Sequence, residues 1–202
     1  MILCILGSSA PDSVSRRVLE LAADRIRAAG EPCELLDLSQ EFPARHRLAD
    51  YDDPPPGSQT AALRDRIARA GGVVLATPVY HGSYSGLLKN ALDHLAGDAF
   101  ADLPVALIAA GGGPRGAGTA CDQMRSVVRA LSGWAVPTHV AATGGDFAPG
   151  EPMEGLRERL DDMVAELLSF RSARRPHRPA VRDHGPARPL REPSPPPAFI
   201  SL

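Results

Sequence analysis

Along its first 170 residues the chain alternates short, largely apolar segments with longer amphipathic stretches, and this alternation limits the possible folds more than any other feature. The apolar runs lie at 2–6, 33–38, 73–76, 103–110 and about 135–142. The run at 2–6, continuous and ending at Gly7, reads as a strand covered on both faces of a parallel sheet. Between the runs, helical spacing predicts helices over 14–29, 58–70, about 87–95, about 118–132 and about 153–169. Val14, Val18, Leu21, Ala22 and Ile26 form the stripe of the first, which stops at Gly30, a residue suited to ending a helix. Residues 39–57 carry no convincing period, and the DDPPPG at 52–57 breaks any regular element. A loop this long inside a compact domain is usually functional or mobile.

Five strands alternating with five helices call for parallel strands joined by right-handed crossovers. The expected fold is therefore α/β: a flavodoxin-like doubly wound five-stranded parallel sheet, order 2-1-3-4-5, with helices on both faces, spanning residues 1–170. In such sheets ligands sit beyond the carboxyl ends of the strands, which singles out the loops after the first, third and fourth strands. Residues 171–202 hold eight Pro and seven Arg among 32 positions and read as a disordered tail that buries too little apolar surface to offset its ordering entropy. The formal charge of −2 divides into −7 on residues 1–170 and +5 on the tail. Its PSPPP segment (193–197) is a possible polyproline ligand, though a solvated tail is the simpler reading.

The whole-chain charge gives no argument for nucleic acid. Cys4, Cys33 and Cys121 are far apart in sequence and form no CxxC or Cys/His cluster, which argues against a metal site or a disulfide framework and for reduced thiols. MILCILG lacks the basic start and full apolar stretch of a signal peptide, and no run approaches a membrane span. The expected location is the cytoplasm.

The first loop, GSSAPDSVS (7–15), puts several hydroxyls and backbone N–H groups at a helix N-terminus, where the dipole favours an anion. A phosphate monoester suits such donors; equally, Asp12 or Ser13 simply caps the helix. No GxxxxGK[ST] occurs, which excludes a P-loop. The third loop, GGGPRGAG (111–118), contains GxGxxG, yet it follows the fourth strand, and Trp134 to Pro137 stand where a dinucleotide site would place an acid.

The second loop, TPVYHGSYSGLLKNALD (77–93), is the most informative stretch. It resembles the NAD(P)H-dependent FMN reductase family, whose loop reads roughly TPxYxxSxPGxLKNxLD; the YSG variant is similar to the flavin reductases of two-component monooxygenases. The resemblance implies that Pro78, Val79, Tyr80, His81, Gly82 and Ser83 line the isoalloxazine of FMN. It further implies that Gly111, Gly112 and Gly113 leave the flavin face open to NAD(P)H. The family's first loop reads approximately GSxRxxSxN; Gly7, Ser8, Ser13 and Ser15 fall on its phosphate-binding positions, while Ala10 replaces the Arg and leaves Arg16 or Arg17 as substitutes, or else as solvated helix residues.

The implied reaction is hydride transfer from nicotinamide to flavin N5, with no catalytic side chain and no metal: His81 is not needed as a proton donor, and the cofactor carries the chemistry. Reduced FMN then serves a partner flavin-dependent monooxygenase, or the flavin stays bound and reduces a quinone or azo compound. A non-enzymatic electron carrier is the third reading, weakened because the TxTGxT of such carriers is absent. Lys89, Asn90 and Asp93 read as structural residues of the following helix. Leu87, Leu88, Leu92 and Leu95 suit either the sheet or a homodimer or homotetramer interface, the latter on resemblance.

Overall fold

A computed structural model describes residues 1–47, 51, 53–148 and 150–172. The elements are β1 (Ile2–Leu6), α1 (Val14–Ala28), β2 (Cys33–Asp37), α2 (Leu38–Glu41), α3 (Gln59–Arg69), β3 (Gly72–Tyr80), β4 (Ser83–Tyr84), α4 (Gly86–Asp93), β5 (Pro104–Ala110), α5 (Pro114–Ala130), β6 (Trp134–Ala142), β7 (Phe147–Ala148), β8 (Glu151–Pro152) and α6 (Glu154–Ser172). Five strands pair in the order β2-β1-β3-β5-β6, every pair parallel, and β4 turns back antiparallel on the end of β3. Counting the long strands alone, this is the flavodoxin-like order 2-1-3-4-5 expected from the alternation. The expected Pro/Arg-rich tail lies outside the described residues from 173 onward.

The continuous apolar runs are explained by burial on both faces. Along β1, Leu3 and Ile5 point to one side, into a core shared with Leu63 and Ile67 of α3, Leu88 and Leu92 of α4, and Met124 and Val128 of α5. Ile2, Cys4 and Leu6 point to the other, against Val18, Leu19 and Ile26 of α1 and Leu156, Leu160 and Met163 of α6. Leu88, Leu92 and Leu95 are thus consumed by the chain's own core, and only Leu87 of the expected interface leucines stays partly outside it. Four helix starts have a local cause: the Ser13, Ser58 and Ser85 hydroxyls accept from the N–H groups of Arg16, Ala61 and Leu88, and Pro114 takes the first helical position of α5.

Three boundaries differ from the sequence reading. β3 runs on through Pro78 to Tyr80, because Thr77 and Pro78 still pair with Ala109 and Ala110 of β5. α5 starts at Pro114 rather than near 118, since Gly113 forms the N-cap and the two glycines that seemed to prolong the loop, Gly116 and Gly118, lie within the helix. The segment after β2 is not wholly irregular, for Asp37 caps the short α2. At the opposite, amino-terminal rim of the sheet, Trp134 opens β6 with 62% of its surface exposed. No helix among the described residues is long and apolar enough to cross a membrane.

Candidate functional site

β1, β3 and β5 are parallel neighbours, so the loops leaving their carboxyl ends emerge side by side at one edge of the sheet. The first loop extends the β1–β3 ladder by one bond, Gly7 N–H to the Ala76 carbonyl at 2.8 Å. The second loop is a β-hairpin: Val79 pairs with Tyr84, Tyr80 with Ser83, and the two-residue turn is His81-Gly82. Both turn residues have positive φ, 52° at His81 and 80° at Gly82, the geometry of a type I′ turn. Glycine reaches it freely and histidine more readily than most side chains. This accounts for His81 as a turn residue with an exposed side chain.

The hairpin is braced from two sides. From α5, Gln123 accepts from the Ser83 hydroxyl at 2.6 Å and donates to the Gly82 carbonyl at 3.4 Å. From below, Ser85 ties the second loop to the first. Its hydroxyl donates to the Gly7 carbonyl at 2.6 Å and accepts from Leu88 N–H at 3.1 Å, and its own N–H donates to Thr77 Oγ1 at 2.9 Å. Both Ser85 and Thr77 are buried. Where the family pattern has proline, this chain therefore uses the N–H that proline lacks. Sequence reasoning missed Thr77 and Gln123 as supports; the departure from proline at Ser85 was the one available signal.

Ser8 and Ser15 are buried at the first loop, and Ser13 caps α1. The Ser13 oxygen accepts from Arg16 N–H and from the Ser15 hydroxyl, each at 3.2 Å, which leaves its own proton free to donate. Capping and anion binding are thus compatible at one hydroxyl, and the first turn of α1 carries no acid to oppose an anion. Neither arginine proposed as a substitute for the missing positive charge at Ala10 is merely solvated. Arg16 forms an ion pair with Asp37, with side-chain exposures of 22% and 13%. Arg17 lies 3.8 Å above the Phe147 ring and donates to the Gly150 carbonyl.

Asp37 feels two opposing effects. Burial pushes its pKa up, but hydrogen bonds from Arg16 and Ser39, with the Arg16 charge, outweigh burial and hold it below the ordinary carboxylate range. A carboxyl whose folded pKa lies below its unfolded value stabilises the fold above about pH 4, and that contribution fades as the pH falls through the folded value. Asp37→Asn is therefore expected to cost about 1–3 kcal/mol at pH 7. The gap to wild type should narrow between pH 5 and pH 3, which urea denaturation midpoints across that range would check.

The third loop brings Gly111, Gly112 and Gly113 beside the hairpin. A Cβ added at Gly111 would stand 3.0 Å from the Val79 Cβ, whereas one at Gly112 or Gly113 would meet nothing within 4 Å. Gly111 thus permits close packing of the second and third loops, and the next two glycines leave open space. Arg115 is exposed at the start of α5. A cavity of about 380 Å³ opens beside the first loop, walled by Ser9, Leu38, Phe42, Pro43, Leu87 and Asn90 among others. Asn90 holds its rim by accepting from His46 N–H at 3.0 Å and donating to the Ala44 carbonyl at 2.8 Å, and Lys89 pairs with Asp93 on the helix surface. Ser13 and Ser15 therefore meet at the start of α1, Ser8 lies just beyond the carboxyl end of β1, and the residues of the second and third loops lie along the same sheet edge.

Comparison with known proteins agrees with this arrangement. A family model described as NADPH-dependent FMN reductase matches residues 1–147. An FMN-dependent NADPH-azoreductase of Staphylococcus aureus is 34% identical over 181 aligned residues, covering 83% of this chain and 93% of the relative. Among solved structures, an oxidoreductase from Corynebacterium diphtheriae superposes with a TM-score of 0.71 at 23% identity, covering 86% of this chain and 98% of that one. An NADH:FMN oxidoreductase in its apo form gives 0.69 at 23% identity, over 85% and 88% of the two chains. A flavodoxin of Streptococcus pneumoniae gives 0.57 at 14%, over 84% and 99%. At these identities the structural likenesses speak to the fold.

Proposed function

Because this chain belongs to the NADPH-dependent FMN reductase family, we propose that it oxidises NAD(P)H and passes a hydride to FMN held at the carboxyl edge of its sheet. The observation that carries this reading is the convergence of three loops with complementary chemistry, the first two tied by the buried Ser85 and the third packed on the second where Gly111 meets Val79. The donor set fits the cofactor. Ser13 keeps a free hydroxyl proton at the start of α1, where the first turn carries no acid, and Ser15 backs it by donating to its oxygen; Ser8 adds a hydroxyl just beyond β1. Val79 and the half-exposed Tyr80 offer apolar and aromatic surface to a flat ring. A two-residue turn keeps its own N–H groups out of the strand ladder, so those of His81 and Gly82 remain available to polar ring atoms.

FMN bound there supplies the hydride-accepting centre. The chain's task is positioning. The hairpin, fixed by Gln123 and Ser85, orients the ring, and the Cβ-free backbone at Gly112 and Gly113 leaves room for a nicotinamide. No side chain is assigned a proton transfer, and His81 serves the turn.

Two fates of the electrons follow. Reduced FMN leaves to supply an oxygenase, or the flavin stays and reduces an azo or quinone acceptor; the azoreductase of S. aureus supports keeping the second in view. Loss of NADPH absorbance at 340 nm separates them. Turnover that saturates with added FMN and needs no other acceptor is expected for release. Turnover that requires an azo dye or quinone while the protein stays yellow through gel filtration supports retention. Absence of NADPH and NADH oxidation under both conditions would overturn the reductase reading.

A further inference from the structure

Cys4 and Cys33, 29 residues apart in sequence, meet on the α1 face of the sheet with their sulfurs 3.3 Å apart. Ile2 pairs with Cys33 and Cys4 with Leu35, so the two cysteines are diagonal neighbours on adjacent parallel strands. Both are free thiols. Cys4 is fully buried in the second strand of the sheet; Cys33 opens the edge strand β2 and is partly exposed.

We propose that Cys33 and Cys4 form a reversible dithiol–disulfide pair that reacts with hydroperoxides. The two thiols have unequal roles. The hydrogen bond from Cys4 and the positive charge of Arg27 draw the Cys33 pKa down, against burial and the charge of Asp24; the N-terminal ammonium adds a small pull in the same direction. Cys4, as donor to its neighbour and buried, is pushed above the ordinary thiol range. Cys33, partly exposed on the edge strand, is the thiol that a peroxide reaches and therefore the attacking one; Cys4, fully buried behind it, is the resolving thiol. In the first step the Cys33 sulfur attacks the peroxide: an S–O bond forms, the O–O bond breaks, hydroxide leaves, and Cys33 is oxidised to the sulfenic acid. In the second, the Cys4 sulfur attacks: the S–S bond forms, the S–O bond breaks, and the hydroxyl departs as water with the Cys4 proton. The sulfurs need to close by about 1.3 Å to reach bonding distance, and because diagonal neighbours stand about 7–8 Å apart at Cα, the start of the edge strand β2 must shift towards β1 as the bond forms. Cys121 is an internal control, buried on the opposite face with its pKa pushed up to about 12.

Full-length protein treated with hydrogen peroxide, alkylated and mapped by non-reducing mass spectrometry tests this. The expected product is a loss of about 2 Da, a Cys4–Cys33 cross-linked peptide pair that dithiothreitol reverses, and an alkylatable Cys121. Cys33→Ser should abolish the cross-link while Cys4 stays reduced. Cys4→Ser should leave Cys33 as a dimedone-trappable sulfenic acid that proceeds to the sulfinic acid. Should wild-type Cys33 pass to the sulfinic acid without a cross-link, or react no faster than Cys121, the pairing is wrong. Because the peroxide is added and the readout is covalent, this result is independent of whether the flavin reaction holds.

Discussion

Ser85→Ala is expected to lower the unfolding free energy by about 2–4 kcal/mol and to weaken FMN binding roughly tenfold, a binding loss of about 1.4 kcal/mol. The change removes the N-cap of α4 and leaves the Gly7 carbonyl and the Leu88 N–H without their buried partner. A lost cap costs about 1 kcal/mol, and each orphaned buried group about 1–3 kcal/mol, with overlap between them. Binding suffers because the same hydroxyl sets the spacing between the serine-rich loop and the hairpin. Ser85→Pro tests the other half of the junction: it supplies the residue of the family pattern but deletes the N–H donated to Thr77. Flavin fluorescence quenching and urea denaturation report the two quantities separately. Ser85→Thr keeps the hydroxyl and should recover most of the affinity. If Ser85→Ala bound FMN as wild type does, the two loops would not act as one cradle.

Gly7→Ala is expected to cost about 1–3 kcal/mol of stability and to damage binding more than Ser85→Ala, with loss of measurable FMN affinity. A Cβ at Gly7 would stand 2.7 Å from the Leu88 Cβ, 3.2 Å from Ser85 Oγ and 3.3 Å from the Ala76 carbonyl oxygen. The Leu88 Cβ is fixed to the helix backbone, so α4 itself must retreat, and the Ser85–Gly7 hydrogen bond goes with it. Thermal denaturation and the same quenching titration measure the outcome. Wild-type values in both would show that α4 has slack here. Because the two substitutions strike one junction, the double variant should lose less than the sum of the singles.

Much of the fold was legible because its signals are local or follow from burial on two faces. The runs at 2–6 and 103–110 became β1 and β5, the latter from Pro104, with every strand residue buried, as an apolar run without polar alternation requires. Gly30, at φ 83°, ends α1 where expected. The misses share a cause: partners distant in the chain decided them. Pro78 looked like a strand end until β5 supplied Ala110 as its neighbour, and Gly116 and Gly118 looked like loop because weak helix formers conceal a helix held by Ala117, Ala120 and Cys121 in the core. The site residues of the first two loops were visible as motif; the bracing by Thr77, Ser85 and Gln123 was not, since no local pattern records a contact across eight, 40 or 78 positions. Likewise the cysteines, spaced too widely to suggest a pair, are neighbours because parallel β2 returns beside β1.

The solitary tryptophan, on the rim farthest from the cradle, gives the protein an optical division of labour. Its indole, already 62% exposed, reports the amino ends of β5 and β6 through the loss of neighbours such as Pro104 rather than through a transfer into water. Flavin emission, at longer wavelength, follows occupancy at the other end. A single cuvette thus yields folding and ligation as two separate colours, and a variant that unhooks one from the other declares itself without a second instrument.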